Sequence, residues 1–216
     1  MFDALFTTTT EYKKLSHALS GKGACALFGL PASGRAQVYA ALCRQLDKPL
    51  CIVTPGEAEA TRFAADLNTM GIPAAVFPAR DYVLRSIEGT AREYEYRRLA
   101  VLGELVGGRL RAVAVPAEAL TQFTTPKEDF CANTRTLHAG DTLLRDDLLA
   151  ALFGAGYTRR AQVDGPGQFS VRGDIVDIFA PDQKMPVRME FWGDEIDTLH
   201  TFDLTTQRRE DAIDKF

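Results

Sequence analysis

Gly29-Leu30-Pro31-Ala32-Ser33-Gly34-Arg35-Ala36 has the spacing of a phosphate-binding loop without its chemistry. In the signature G-x-x-x-x-G-K-[ST], the glycines let backbone N–H groups close round phosphate oxygens. The lysine reaches the β/γ-phosphates and the hydroxyl ligates Mg²⁺. Here Gly29 and Gly34 stand, but Arg35 replaces the lysine and Ala36 the hydroxyl residue. Arg35 keeps the charge on a fork longer and wider than an ammonium, and Ala36 leaves no side-chain oxygen for a metal. An anion at the following helix N-terminus is compatible with these residues, Ser33 included; nucleotide hydrolysis is not. Two glycines at this spacing also suit an ordinary turn. The flanks favour the degenerate phosphate loop, with Ala24–Phe28 reading as a buried strand before it and Arg35–Leu46 as a helix after it.

A second set of residues has the chemistry of recognition rather than catalysis. Period-2 alternation in Val187-Arg188-Met189-Glu190-Phe191-Trp192 points 187, 189 and 191 to a core, so Arg188, Glu190 and Trp192 share the other face. Phe169 and Val171 likewise face in, while Ser170 and Arg172 face out. An outward tryptophan among arginines is the composition of a protein-binding hot spot. The plainer alternative is a solvated sheet side with Trp192 folded against a loop. Arg172-Gly173-Asp174 is not read as a cell-adhesion tripeptide, since Gly173-Asp174 is better explained as the turn joining two strands.

These residues need elements to hold them. Up to about Leu120, apolar runs alternate with helical patterns, which predicts a parallel α/β sheet. The expected strands are Ala24–Phe28, Leu50–Thr54, Ala74–Phe77 and Ala112–Val115, with helices near Arg35–Leu46, Glu57–Met70 and Ala91–Val106. The stripe Tyr94, Arg97, Arg98 and Val101 reads as a helix covering the sheet rather than a nucleic-acid surface. Thr121–Thr134 is polar and irregular and is expected to hold the junction between a domain at 1–122 and one at 123–216. A helix follows near Leu143–Phe153, capped by Asp141 or Thr142. Short strands then run at Thr158–Val163, Phe169–Arg172, Ile175–Phe179, Val187–Trp192 and Thr198–Asp203, giving a smaller α+β, mostly antiparallel part.

Composition narrows the function classes. The chain has 216 residues, 46% of them hydrophobic and 25% charged, as in ordinary globular proteins. Its net charge of -4 gives no general affinity for nucleic acid or anionic membrane. Arg159 and Arg160 accordingly read as a solvated or protein-binding face rather than a DNA site. Cys25, Cys43, Cys51 and Cys131 form no C-x-x-C pair, and free, buried thiols in a reducing cytosol are expected. His17, His138 and His200 are scattered, so no metal is expected. Met1–Tyr12 lacks the pattern of a signal peptide, and no stretch reaches the roughly 18 apolar residues of a membrane span. A cytoplasmic location without membrane contact is the expectation.

Three runs carry a family resemblance: Ala155-Gly156-Tyr157, the stretch Phe169–Phe179 containing R-G-D, and Val187–Ile196 containing E-F-W-G-D-E-I, followed by Phe202-Asp203 and Gln207-Arg208. From the degenerate loop onward the chain resembles the UvrB-like N-terminal region of the bacterial transcription-repair coupling factors, the Mfd family. UvrB itself is the neighbouring alternative, which would make the chain a nucleotide-hydrolysing excision-repair enzyme. Arg35-Ala36 and the short Pro78–Arg97 stretch, with little room for a long β-hairpin insertion, favour the coupling factors. The resemblance implies a RecA-like but ATP-inactive domain 1a followed by domain 2, which recruits UvrA by mimicking UvrB. The family's UvrA-contacting positions fall on Arg172, Arg188 and Trp192, the last being often phenylalanine in relatives. It further implies that the chain is a non-enzymatic fragment without a cofactor. Contacts with RNA polymerase and DNA, and the ATP and Mg²⁺ of the translocase, would lie in domains outside it.

Overall fold

The computed structural model describes residues 7–21, 24–46, 48–80 and 91–216. Of the stretches singled out above, Met1–Tyr12 and Pro78–Arg97 fall partly outside them. The described residues up to Tyr94, with Val101–Phe123, form one compact unit, and Glu95–Ala100 with Thr124–Phe216 form a second.

The first unit begins with helix α1 (Thr10–Ser20), whose start is set by Thr9: its Oγ1 accepts the Tyr12 N–H at 3.3 Å. Helices α2 (Ala32–Gln45), α3 (Glu57–Thr69) and α4 (Ala91–Val106, of which Glu95–Ala100 is counted with the second unit) alternate with strands β1 (Leu50–Thr54), β2 (Ala74–Val76) and β3 (Ala112–Pro116), and a single turn of helix, α5 (Ala117–Leu120), follows. The three strands form a parallel sheet in the order β1-β3-β2. Strand β3 is buried along its whole length, as a central parallel strand covered on both sides must be. Ala112 and Ala114 face Ala36, Ala40, Phe63 and Leu67 of α2 and α3, while Val113 and Val115 join Val101 on the other side. Alanines at these contacts let helix and sheet backbones approach closely. Arg111 closes the end of α2 by donating to the Cys43 carbonyl at 2.7 Å.

One expected strand does not form. Ala24–Phe28 lies outside the sheet, and Phe28 is 87% exposed. A strand needs hydrogen-bonding neighbours as well as apolar side chains, and this segment pairs with none of the described strands. The cysteines also depart from expectation: Cys43 is buried, whereas Cys25, Cys51 and Cys131 are exposed. Burial raises the Cys43 thiol pKa, and its Sγ–H donates to the Arg111 carbonyl at 3.4 Å.

The second unit contains α6 (Lys127–Ala132), within the stretch read as irregular, and α7 (Arg145–Gly154). Leu144 occupies the N-cap of α7 without a side-chain bond, so neither Asp141 nor Thr142 caps it. Asp141 instead turns back to accept the His138 N–H at 2.7 Å. Six strands follow: β4 (Thr158–Arg159), β5 (Gln168–Arg172), β6 (Ile175–Phe179), β7 (Val187–Trp192), β8 (Glu195–Phe202) and β9 (Arg209–Ala212). They pair in sequence order, β4 with β5 in parallel and the rest antiparallel. Leu148 and Leu152 of α7 pack on Phe169, Val187, Met189 and Phe191, which alternation expects to face inward, and on Val176 and Ile178 of β6. A parallel α/β part followed by a mostly antiparallel α+β part is therefore the fold class expected from the sequence. Among the described residues no helix is long and apolar enough to cross a membrane.

Candidate protein-binding surface and the altered phosphate loop

The sheet face opposite α7 carries a polar row. Register places Ser170, Asp177, Arg188 and His200 side by side across β5, β6, β7 and β8. Asp177 is completely buried, and its carboxylate gathers this row. It accepts from Arg188 Nε at 2.7 Å and Nη2 at 2.9 Å, from Arg172 Nη2 at 2.6 Å, and from Ser170 Oγ at 3.4 Å. The hydrogen bonds to Asp177 raise the Arg188 pKa above its ordinary value.

Arg188 is therefore not the freely exposed residue that alternation suggested. It lies on the expected face but is only 9% exposed. Its guanidinium sits 4.8 Å from the Phe202 ring centroid, and its Nη1 donates to the Gln207 carbonyl at 3.2 Å. The covering element is the turn that follows β8. Asp203 Oδ1 accepts from the Thr206 N–H at 2.7 Å, the Thr206 hydroxyl at 2.9 Å and the Thr205 N–H at 3.2 Å. Gln207 then takes a left-handed conformation, φ 59°, and its side-chain amide donates to the Val163 and Leu204 carbonyls. Sequence alternation assigns a face; it does not say whether a distant turn folds over it.

The bonds from Thr206, backbone first, hold the Asp203 carboxyl below its ordinary pKa. A carboxyl depressed on folding contributes stability above its unfolded pKa and loses it as pH falls through the folded one. The Thr205 and Thr206 amide resonances are therefore expected to hold steady through the ordinary aspartate range and to move only at more acidic pH. An NMR titration checks this; movement at or above the ordinary aspartate pKa would refute the bonding.

Arg172 and Trp192 reach solvent at one end of the sheet. The Arg172 side chain is 48% exposed and Trp192 is 82% exposed. Each sits beside a two-residue turn, Gly173-Asp174 or Gly193-Asp194, whose glycine has φ 60° or 62°. Arg145 braces the first turn by donating to the Gly173 carbonyl at 2.9 Å and to Asp174 Oδ1 at 3.2 Å. The Phe191 N–H bonds the Asp174 carbonyl at 2.8 Å, tying this turn to β7. Such a surface, with an accessible aromatic and a cationic fork, suits binding of another protein.

The loop Gly29–Ala36 is arranged differently from its sequence reading. Helix α2 starts at Ala32 and not at Arg35, with Pro31 as N-cap and the Arg35 N–H bonded to the Pro31 carbonyl at 3.1 Å. Proline has no N–H to lose at a helix start, which lets the helix begin early. Ser33 and Gly34 are thereby drawn into its first turn. Arg35 Nη1 lies 3.8 Å from Glu59 Oε1 of α3. Ala36 is fully buried in the core beside Ala40 and Ala60. An added hydroxyl there would enter packed apolar space, so Ala36→Thr is expected to destabilise the first unit by about 1–3 kcal/mol. Urea unfolding checks this, and an unchanged midpoint would contradict the packing.

Sequence reading named Arg172, Arg188 and Trp192 but missed Asp177 and Gln207, the groups that hold the first two in place. Asp177 carried a usable signal, since period 2 puts it on the face opposite Val176 and Ile178. Gln207 entered only as part of the family pattern, because a left-handed glutamine leaves no mark in composition or period that would show it folding over Arg188.

Residues 136–216 match the family model of the UvrB interaction domain. The chain is 36% identical over 192 residues, 85% of its length, to the transcription-repair-coupling factor of Mycobacterium bovis. It is 33% identical over 196 residues, 86% of its length, to that of Myxococcus xanthus. The transcription-repair-coupling factor of Bacillus subtilis is 29% identical over 184 residues, 84% of the chain. The matches cover 15% of the M. bovis protein and 16% of each of the other two, so the chain spans a small part of these curated relatives.

Proposed function

We propose, from the match of residues 136–216 to the UvrB interaction domain and the similarity of most of the chain to transcription-repair-coupling factors, that the chain is an ATP-inactive adaptor that recruits UvrA by presenting a UvrB-like surface. The observation that carries this reading is Trp192, 82% exposed within the matched domain and on the same sheet face as Arg172. Trp192 supplies apolar anchoring and Arg172 pairs with an acidic group on UvrA. The Arg35–Glu59 pair and the buried Ala36 support the nucleotide-free half of the reading. They disfavour a UvrB-like hydrolase, in which Arg35 would have to reach phosphate and another residue would have to hold Mg²⁺.

The whole protein, on this reading, is a cytoplasmic ATP-dependent DNA translocase that displaces stalled RNA polymerase. Its nucleotide, metal, DNA and polymerase contacts belong to other domains. The test is a titration of the chain with purified, active UvrA, with ATP turnover followed in parallel. Saturable binding without turnover supports the adaptor; turnover abolished by Arg35→Ala would instead favour the hydrolase. Absence of binding by the folded chain would refute UvrA recruitment by this part alone.

A further inference from the structure

Asp177 joins the two arginines of the surface, yet nothing in the family resemblance gives it a role. One buried carboxylate faces two guanidinium groups, Arg188 by two bonds and Arg172 by one. The neighbouring carboxylates are committed elsewhere: Asp174 to Arg145 and Glu190 to Arg209. The cluster thus keeps a surplus positive charge. It is concentrated on Arg172, because Arg188 is covered by Phe202 and the Gln207 carbonyl. Arg172 has only its Nη2 on Asp177, at 2.6 Å, and about half of its side chain remains exposed. Free in solvent, so long a side chain would lose rotamer entropy on meeting a partner. Fixed on a buried carboxylate, it offers a preset donor fork to an incoming acid.

Resting on the UvrA reading, we propose that Asp177 is a positioning residue for the partner surface: it locks Arg172 before binding, so that Arg172 receives a carboxylate of the partner. This role differs in sign from a simple charge effect. Replacing Asp177 by asparagine makes the surface more positive, and if net charge alone governed attraction to an acidic partner, binding would strengthen. Loss of the lock weakens it instead.

The experiment measures UvrA affinity for the parent chain, Asp177→Asn, Arg172→Ala and the double variant, with a thermal melt of each and binding read well below the lowest transition. The expected result is about a tenfold loss for Asp177→Asn, with little further loss when it is added to Arg172→Ala, because the two act as one unit. Unchanged or tighter binding by folded Asp177→Asn, or losses that simply add, would overturn the proposal while leaving the adaptor reading intact. A parent chain that fails to bind active UvrA overturns that reading and this proposal with it. Should Asp177→Asn not fold, guanidinium NMR of the parent chain decides the matter. Hindered rotation of Arg172 is expected, and free rotation would overturn the lock.

Discussion

Arg188→Ala is expected to destabilise the second unit by about 3–5 kcal/mol, the usual loss when one partner of a buried ion pair is removed. Asp177 would remain completely buried with two of its hydrogen bonds gone, leaving only Arg172 and a long contact to Ser170. The Gln207 carbonyl and the Phe202 ring would also lose their cation. Arg188→Lys keeps the charge but cannot reproduce the planar two-point contact, so an intermediate loss is expected. Urea unfolding of the three proteins checks the order; equal midpoints for parent and alanine variant would show that Arg188 is not held as described. A consequence for binding studies follows. Lost UvrA affinity in Arg188→Ala would report a damaged sheet as readily as a lost contact, so this residue is a poor choice for mapping the interface.

Trp192→Ala is expected to do the reverse. With 82% of the residue exposed, little of it packs on its own domain, and the melting temperature should change hardly at all. On the adaptor reading proposed above, affinity for UvrA should fall by about 30-fold or more, corresponding to the roughly 2 kcal/mol or more typical of a buried aromatic anchor. Trp192→Phe retains an apolar ring and is expected to recover most of the affinity. Calorimetric titration checks both variants. A folded Trp192→Ala that binds like the parent would remove this residue from the interface and leave Arg172 as its remaining exposed candidate.

Much of the local structure was legible because local patterns decide it. Leu50–Thr54, Ile175–Phe179 and Val187–Trp192 form strands over the expected residues, and Ala91–Val106 forms the expected helix. The first two are short apolar runs and the third alternates, with proline, glycine or charged residues at their ends. Helix α6 and strand β9 were missed for the opposite reason. Arg209–Ala212 is exposed at every position and shows no alternation, so only its pairing with β8 marks it as a strand. The failed strand Ala24–Phe28 shows the same limit from the other side: five residues of suitable type do not become a strand without neighbours to bond.

At the candidate surface the division is sharper. The sequence by itself determined that Arg172, Arg188 and Trp192 point away from the helix-covered core, because side chains alternate with period two in any strand. It likewise determined that Gly29–Ala36 lacks both the lysine and the hydroxyl of an active phosphate loop. Only the tertiary structure decided which of the three outward residues meets solvent. The turn after β8 folds over Arg188, and Asp177 draws two arginines from different strands onto one carboxylate. These contacts join residues 5, 11 and 19 positions apart in the chain, and their geometry depends on sheet register and on one left-handed residue, Gln207. Periodicity fixes the direction of a side chain. What covers it depends on where the rest of the chain returns.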